Sequence, residues 1–108
     1  MDQPLYIIKP STRNDKRYVV VMNDGKMSHH FGSKTYENYT DHGDDKRKAS
    51  YLARHKARED WDKSGIHSAG FWSRWLLWNQ KSLVKSARDI EDRFGVRIVM
   101  KHGNLKGS

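Results

Sequence analysis

The sequence predicts an α+β fold in which a small antiparallel sheet is packed by about three helices, with a tryptophan-rich helix at the centre. Three observations carry this. A β-branched run, 17–22 (RYVVVM), leads into Asn23-Asp24-Gly25, a tight-turn signal that marks a hairpin. Leu83, Ala87, Ile90 and Phe94 recur at helical spacing. Three of the four tryptophans fall within residues 68–79 (SAGFWSRWLLWN), in a chain only 35% hydrophobic, so the core must rely on its aromatics.

In chain order, residues 5–8 form a short β-prone run that stops before Pro10, and 11–16 read as a loop. The strand at 17–22 is expected to be central and to return as 26–31 (KMSHHF), ended by Gly32. Alternation then puts Met27, His29 and Phe31 on one sheet face and Lys26, Ser28 and His30 on the other. Residues 33–42 lack a clean period and read as an ordered loop pinned by Tyr36 and Tyr39.

A helix is expected from Asp44 to about Glu59 or Trp61, with Asp41, Asp44 and Asp45 complementing its N-terminus. Ala49, Ala53 and Ala57 form a small-residue stripe; Arg47, Tyr51, Arg54 and Arg58 share the side next to it. A turn at Gly65 leads to the tryptophan helix, with Ser68 as N-cap. There Phe71, Trp75 and Trp78 share a face, Trp72 and Leu76 make a second, and Leu77 covers a third, which places the helix in the interior. The expected core comprises Tyr51, Trp61, Phe71, Trp72, Trp75, Trp78, Ile90 and Phe94. Arg74, the one charge in that run, and Arg54 are each open between a structural and a binding role. Ser82 caps the last helix, Gly95 ends it, and 96–100 (VRIVM) is a final strand. One domain over 1–101 with a flexible tail at 102–108 is expected.

Net charge is +8 and the positive excess grows toward the C-terminus, so polyanions are the expected partners: nucleic acid or an acidic protein. Without cysteine there is no disulfide framework and no thiolate metal site. The apolar run after Met1 is too short for a signal peptide, and no stretch approaches the ~20 apolar residues that span a bilayer. A soluble protein without membrane contact is expected. Of the six histidines none forms HExxH, and His29 and His30 point to opposite strand faces, so neither a metal nor another cofactor is expected. Asp41, Asp44 and Asp45 beside Lys46 offer a weak likeness to a magnesium nuclease, which helix capping explains more simply. No phosphate loop or nucleophile elbow is present, and no enzymatic activity is expected.

The phrases Tyr36-x-x-Tyr39-Thr40, Tyr51-x-x-Arg54-His55 and Gly70-Phe71-Trp72-Ser73-Arg74-Trp75 place aromatics densely. Over about residues 30–95 the chain resembles a family of short basic proteins of unknown function encoded by large DNA viruses of algae and amoebae. That resemblance implies a virion context, with host cytoplasm or nucleus during infection, and supplies no catalytic residues. The expected function is therefore a non-enzymatic, virion-associated protein binding DNA through its phosphates, mainly independent of sequence, and aiding genome packaging. Arg47, Lys48, Arg58, Lys85, Arg88 and Lys101 are the expected contacts. The alternative is an internal structural or capsid-associated protein that meets an acidic viral protein.

Overall fold

The computed structural model describes residues 3–22, 25 and 27–101. Asn23, Asp24, the expected strand start Lys26 and the expected tail 102–108 lie outside the described residues. The architecture is α+β, a four-stranded sheet with helices on it. Strands β1 (Leu5–Pro10), β2 (Lys16–Met22), β3 (Ser28–Ser33) and β4 (Arg97–Met100) lie in the order β3-β2-β1-β4. β1–β2 and β2–β3 are antiparallel, but β4 joins β1 in parallel, so the sheet is mixed rather than antiparallel throughout. The physical reason is connectivity: everything from residue 34 to residue 96 crosses over between β3 and β4, and such a long crossover can return a strand in either sense.

The register puts Tyr6, Ile8, Val20, Phe31 and Ile98 on the face that packs against the helices, all buried in one cluster. Ile7, Val21 and Val99, half-buried, alternate onto the opposite face, outside that cluster. At the hairpin, the Met22 backbone N–H donates to the Met27 carbonyl at 3.1 Å, and Gly25 takes a left-handed φ of 73°.

Residues 33–42 are not all loop. Tyr39–His42 form a single helical turn, α1, because the Asp41 carboxylate reaches back to the Asn38 amide at 2.7 Å. Tyr39 is buried, whereas Tyr36 is 71% exposed and pins nothing. Helix α2 (Asp45–His55) begins at N-cap Asp44 and stops a full turn earlier than the sequence spacing predicts. Arg58 closes a turn onto the His55 carbonyl at 3.0 Å, and Glu59 folds back to His55 (3.2 Å) and to the Trp61 indole N–H (2.9 Å).

The tryptophan element changes pitch. Helix α3 (Ala69–Trp72), capped by Ser68, runs into a π-turn over Ser73–Leu77 that closes with Trp78 N–H donating to the Ser73 carbonyl at 3.1 Å. The extra residue in that turn takes Trp78 off the expected face, while Phe71 and Trp75 stay together with centroids 6.5 Å apart. Trp75 turns to Phe94 (centroids 5.4 Å apart), while Trp78 swings to stack flat on Tyr51 at 4.3 Å. Phe71, Trp72, Leu76 and Leu77 are almost wholly buried, and the Trp72 indole N–H donates to the Ile66 carbonyl at 2.7 Å. Trp61, Trp75 and Phe94 are partly buried against the same cluster.

Helix α4 (Leu83–Phe94) starts at N-cap Ser82 and ends at Gly95 with φ 66°. It buries Leu83, Ala87 and Ile90. Its outer side then closes the sheet: Glu91 accepts the Ile98 amide at 2.8 Å, and Arg88, paired with Glu91 at 3.0 Å, approaches the Ile98 carbonyl at 3.5 Å. Ile98 sits on the free edge of β4, so this pair caps the edge groups that would otherwise invite another strand. Among the described residues no helix is long and apolar enough to cross a membrane.

Candidate nucleic-acid interface

A cleft of about 830 Å³ opens between α2, the segment after β3 and the start of the tryptophan element. Gly32, at the end of β3, makes its floor possible. Its φ is +80°, and a Cβ there would lie 2.7 Å from Leu77 Cδ1, so only glycine lets the strand pass under the π-turn. One wall is α2 and the turn after it, carrying Lys46, Arg47, Ser50, Arg54 and Arg58. Lys16 enters from the start of β2.

Arg17 fixes the rim. Its guanidinium donates to the Ser33 carbonyl (3.0 Å) and the Tyr36 carbonyl (2.8 Å), and pairs with Asp41 at 3.2 Å. Deeper in, His55, Tyr51 and Trp78 stack in a row with successive centroids 4.3 Å apart. Burial pushes the Tyr51 phenol up to about 12, and its hydroxyl lies 3.2 Å from Ser73 Oγ. Asn38 Nδ2 is buried in the lining without a hydrogen-bond partner among the described residues.

Two carboxylates line the cleft and both are engaged. Glu37 pairs with Arg47 at 3.3 Å. Glu59 holds His55 and Trp61 and occupies the space a Cβ on Gly70 would need, 2.8 Å from it. Lys16, Lys46, Arg54 and Arg58 have no ion-pair partner among the described residues, and all four line the cleft. The site is a basic cleft with an aromatic wall.

Of the six expected contacts, only Arg47 and Arg58 line this cleft. Lys48 is half-buried instead: its ammonium donates to the Asn79 carbonyl at 2.7 Å and lies 4.9 Å over the Tyr39 ring. Burial, with Arg74 nearby, lowers its pKa. Arg88 is held in the β4 edge cap, and Lys85 and Lys101 are exposed away from the cleft lining.

Arg54 is exposed and in the cleft. Arg74 is structural: it donates to the Trp78 carbonyl at 3.0 Å and lies 4.1 Å over Trp75, with its pKa lowered by burial and then by Arg93. The helical recurrence of Arg47, Arg54 and Arg58 was a signal for this wall. No local signal could have brought Lys16 to it, since strand β2 reaches it only through the fold.

The described residues hold no group of three or more metal-ligating side chains. Asp41 and Asp44 cap helices, and Asp45 accepts from the Tyr39 hydroxyl at 2.5 Å, so the three carboxylates are directed to separate structural partners.

In class, then, this is an α+β protein with an open, basic, aromatic-walled cleft. Residues 6–55 match the model of a family of unknown function, DUF5754, over slightly less than half of the chain. The matched stretch runs from β1 through α2, so it includes Arg47 and Arg54 of the arginine wall but not Arg58, and stops short of the tryptophan element. No curated protein and no solved structure matches the chain.

Proposed function

We propose that this is a non-enzymatic nucleic-acid-binding protein that grips DNA through its phosphates, with the cleft as its contact surface. The supporting observation is the set of four cations, Lys16, Lys46, Arg54 and Arg58, gathered at one cleft without ionic partners while both cleft carboxylates are engaged. Cations without partners keep the capacity to neutralise phosphates, and arginine adds planar two-pronged donation. A role in packaging or organising a viral genome rests on the family resemblance of the aromatic motifs, and the cleft chemistry is compatible with it.

The test is a salt series. Labelled duplex and single-stranded DNA are titrated by fluorescence anisotropy with wild type and with an Arg54→Gln/Arg58→Gln variant. On duplex, four phosphate contacts give a log–log slope of roughly −3 to −4, about a hundredfold loss between 50 and 200 mM salt. The double variant should reduce the slope by about two. Absence of binding to either form, or binding with no salt dependence, refutes the reading and favours an acidic protein as the partner.

A further inference from the structure

We infer that the cleft takes a single strand of nucleic acid, with an unstacked base against Tyr36, rather than the side of a duplex. This rests on the phosphate-binding reading above and adds the form of the ligand. The first argument is shape. About 830 Å³ falls within the ~300–1,000 Å³ typical of sites that enclose a small molecule. A duplex is a convex rod with its bases stacked inside; it can touch rim cations but cannot fill a concavity of that size. A single strand can turn a nucleotide inward and leave its neighbouring phosphates on the rim.

The second argument is Tyr36. It is the most exposed large aromatic side chain among the described residues, at 71%, and it lines the cleft. Exposure alone says little, but its backbone is held. The Arg17 guanidinium binds the carbonyls of Ser33 and Tyr36 and the Asp41 carboxylate, fixing both ends of the rim segment. A base stacking on this ring therefore meets a platform whose backbone is already ordered, which lowers the entropy lost on binding.

The third is the polar interior. Ser50, the Tyr51–Ser73 hydroxyl pair and the unpartnered Asn38 amide offer donors and acceptors that phosphate contact at the rim would leave unused. Cations along a groove with an aromatic ring beside them are the components that bind single strands with little sequence preference.

The experiment uses the full chain and three labelled probes: a twelve-nucleotide oligothymidylate, a twelve-base-pair duplex, and an abasic deoxyribose-phosphate strand of the same charge as the first. Wild type is compared with Tyr36→Ala and Tyr36→Phe, with melting curves to show that the fold is kept. Oligothymidylate should bind more tightly than both other probes. Tyr36→Ala should weaken it by about 5- to 150-fold while leaving the duplex and abasic strand unchanged. Tyr36→Phe should retain it. If all three probes bind alike and Tyr36→Ala changes none, the base contact is refuted and phosphate binding stands. Duplex binding tighter than single strand also overturns the inference. If no probe binds, both readings fall together.

Discussion

Replacing Gly32 by alanine tests the packing on which the cleft depends. Two penalties add. The left-handed φ of +80° costs a residue with a Cβ about 1–2 kcal/mol. The new methyl would also lie 2.7 Å from Leu77 Cδ1, in a side chain 1% exposed, and overpacking of this kind costs about 1–3 kcal/mol. Together they give about 2–5 kcal/mol, a large part of the ~5–15 kcal/mol that holds a small domain folded. Urea unfolding followed by tryptophan fluorescence should show the midpoint falling at constant slope. The two terms separate in a double-mutant cycle with Leu77→Val, which shortens the obstructing side chain. In that background Gly32→Ala should cost only the backbone term, leaving a coupling of about 1–3 kcal/mol. A Gly32→Ala protein within about 0.5 kcal/mol of wild type would show that the strand does not pass under the π-turn as described. Zero coupling would refute the Leu77 contact alone.

Other outcomes follow from single contacts. Glu91→Ala should bare the Ile98 amide on the β4 edge, and gel filtration should show concentration-dependent self-association that Glu91→Gln, which keeps an acceptor, largely suppresses. Trp72→Phe keeps most of the ring but orphans the Ile66 carbonyl, at about 1–3 kcal/mol in a melt; an unchanged melting temperature would count against the 2.7 Å bond. The Tyr51 phenol, raised by burial to about 12, favours the folded state fully below pH 10, and that contribution is lost as the pH rises from 10 through about 12. Wild type should therefore lose stability more steeply across that window than Tyr51→Phe, and parallel curves would refute it. At the acid end, burial raises the Asp89 carboxyl, but hydrogen bonds from Asn79 and Arg93 outweigh it and leave the pKa low. Its contribution is present above the ordinary aspartate range and lost as pH falls through the lowered pKa, so Asp89→Asn should flatten the acid limb of the stability curve.

The parts of the fold that were legible in the sequence are those set by local rules. The β2 run, the caps at Ser68 and Ser82, the αL end at Gly95 and the amphipathic period of α4 each follow from a few neighbouring residues. What was not legible is set by tertiary contact. The alternation rule cannot reveal that β4 would run parallel to β1, since that depends on the whole crossover. Helix α2 ends at His55, where Glu59 folds back to His55 and Trp61; those two partners are near in sequence, but the fit of Glu59 against Gly70 of the tryptophan element is set by the fold. The π-turn arises where an aromatic-rich helix must send Trp75 toward Phe94 and Trp78 toward Tyr51, directions that an ideal 100° step does not supply.

The same distinction sorts the cations. Sequence places a lysine or arginine on a helix face, but only the fold says whether a carbonyl or carboxylate waits beside it. Lys48 and Arg47 are adjacent on α2, yet one reaches across to Asn79 and becomes a strut while the other turns to the cleft. Arg54 has the opposite history: its position between Tyr51 and Trp61 on an unbroken helix leaves a half-buried role open, but the helix stops at His55, and the arginine remains exposed on the wall. Early termination of α2 thus shapes the basic cleft directly. It also turns Glu59 inward, where His55 and Trp61 hold it, so that a carboxylate close to Arg58 in sequence is directed to other partners. Replacing Gly70 by alanine would displace that carboxylate, with Cβ only 2.8 Å from Glu59 Cδ, and free it to pair with cleft arginines. Gly70→Ala should therefore weaken DNA binding and shrink its salt slope although it alters no cation. Gly70→Ala in a Glu59→Gln background should bind like Glu59→Gln alone. Equal losses in both backgrounds would show that Glu59 is not the mediator.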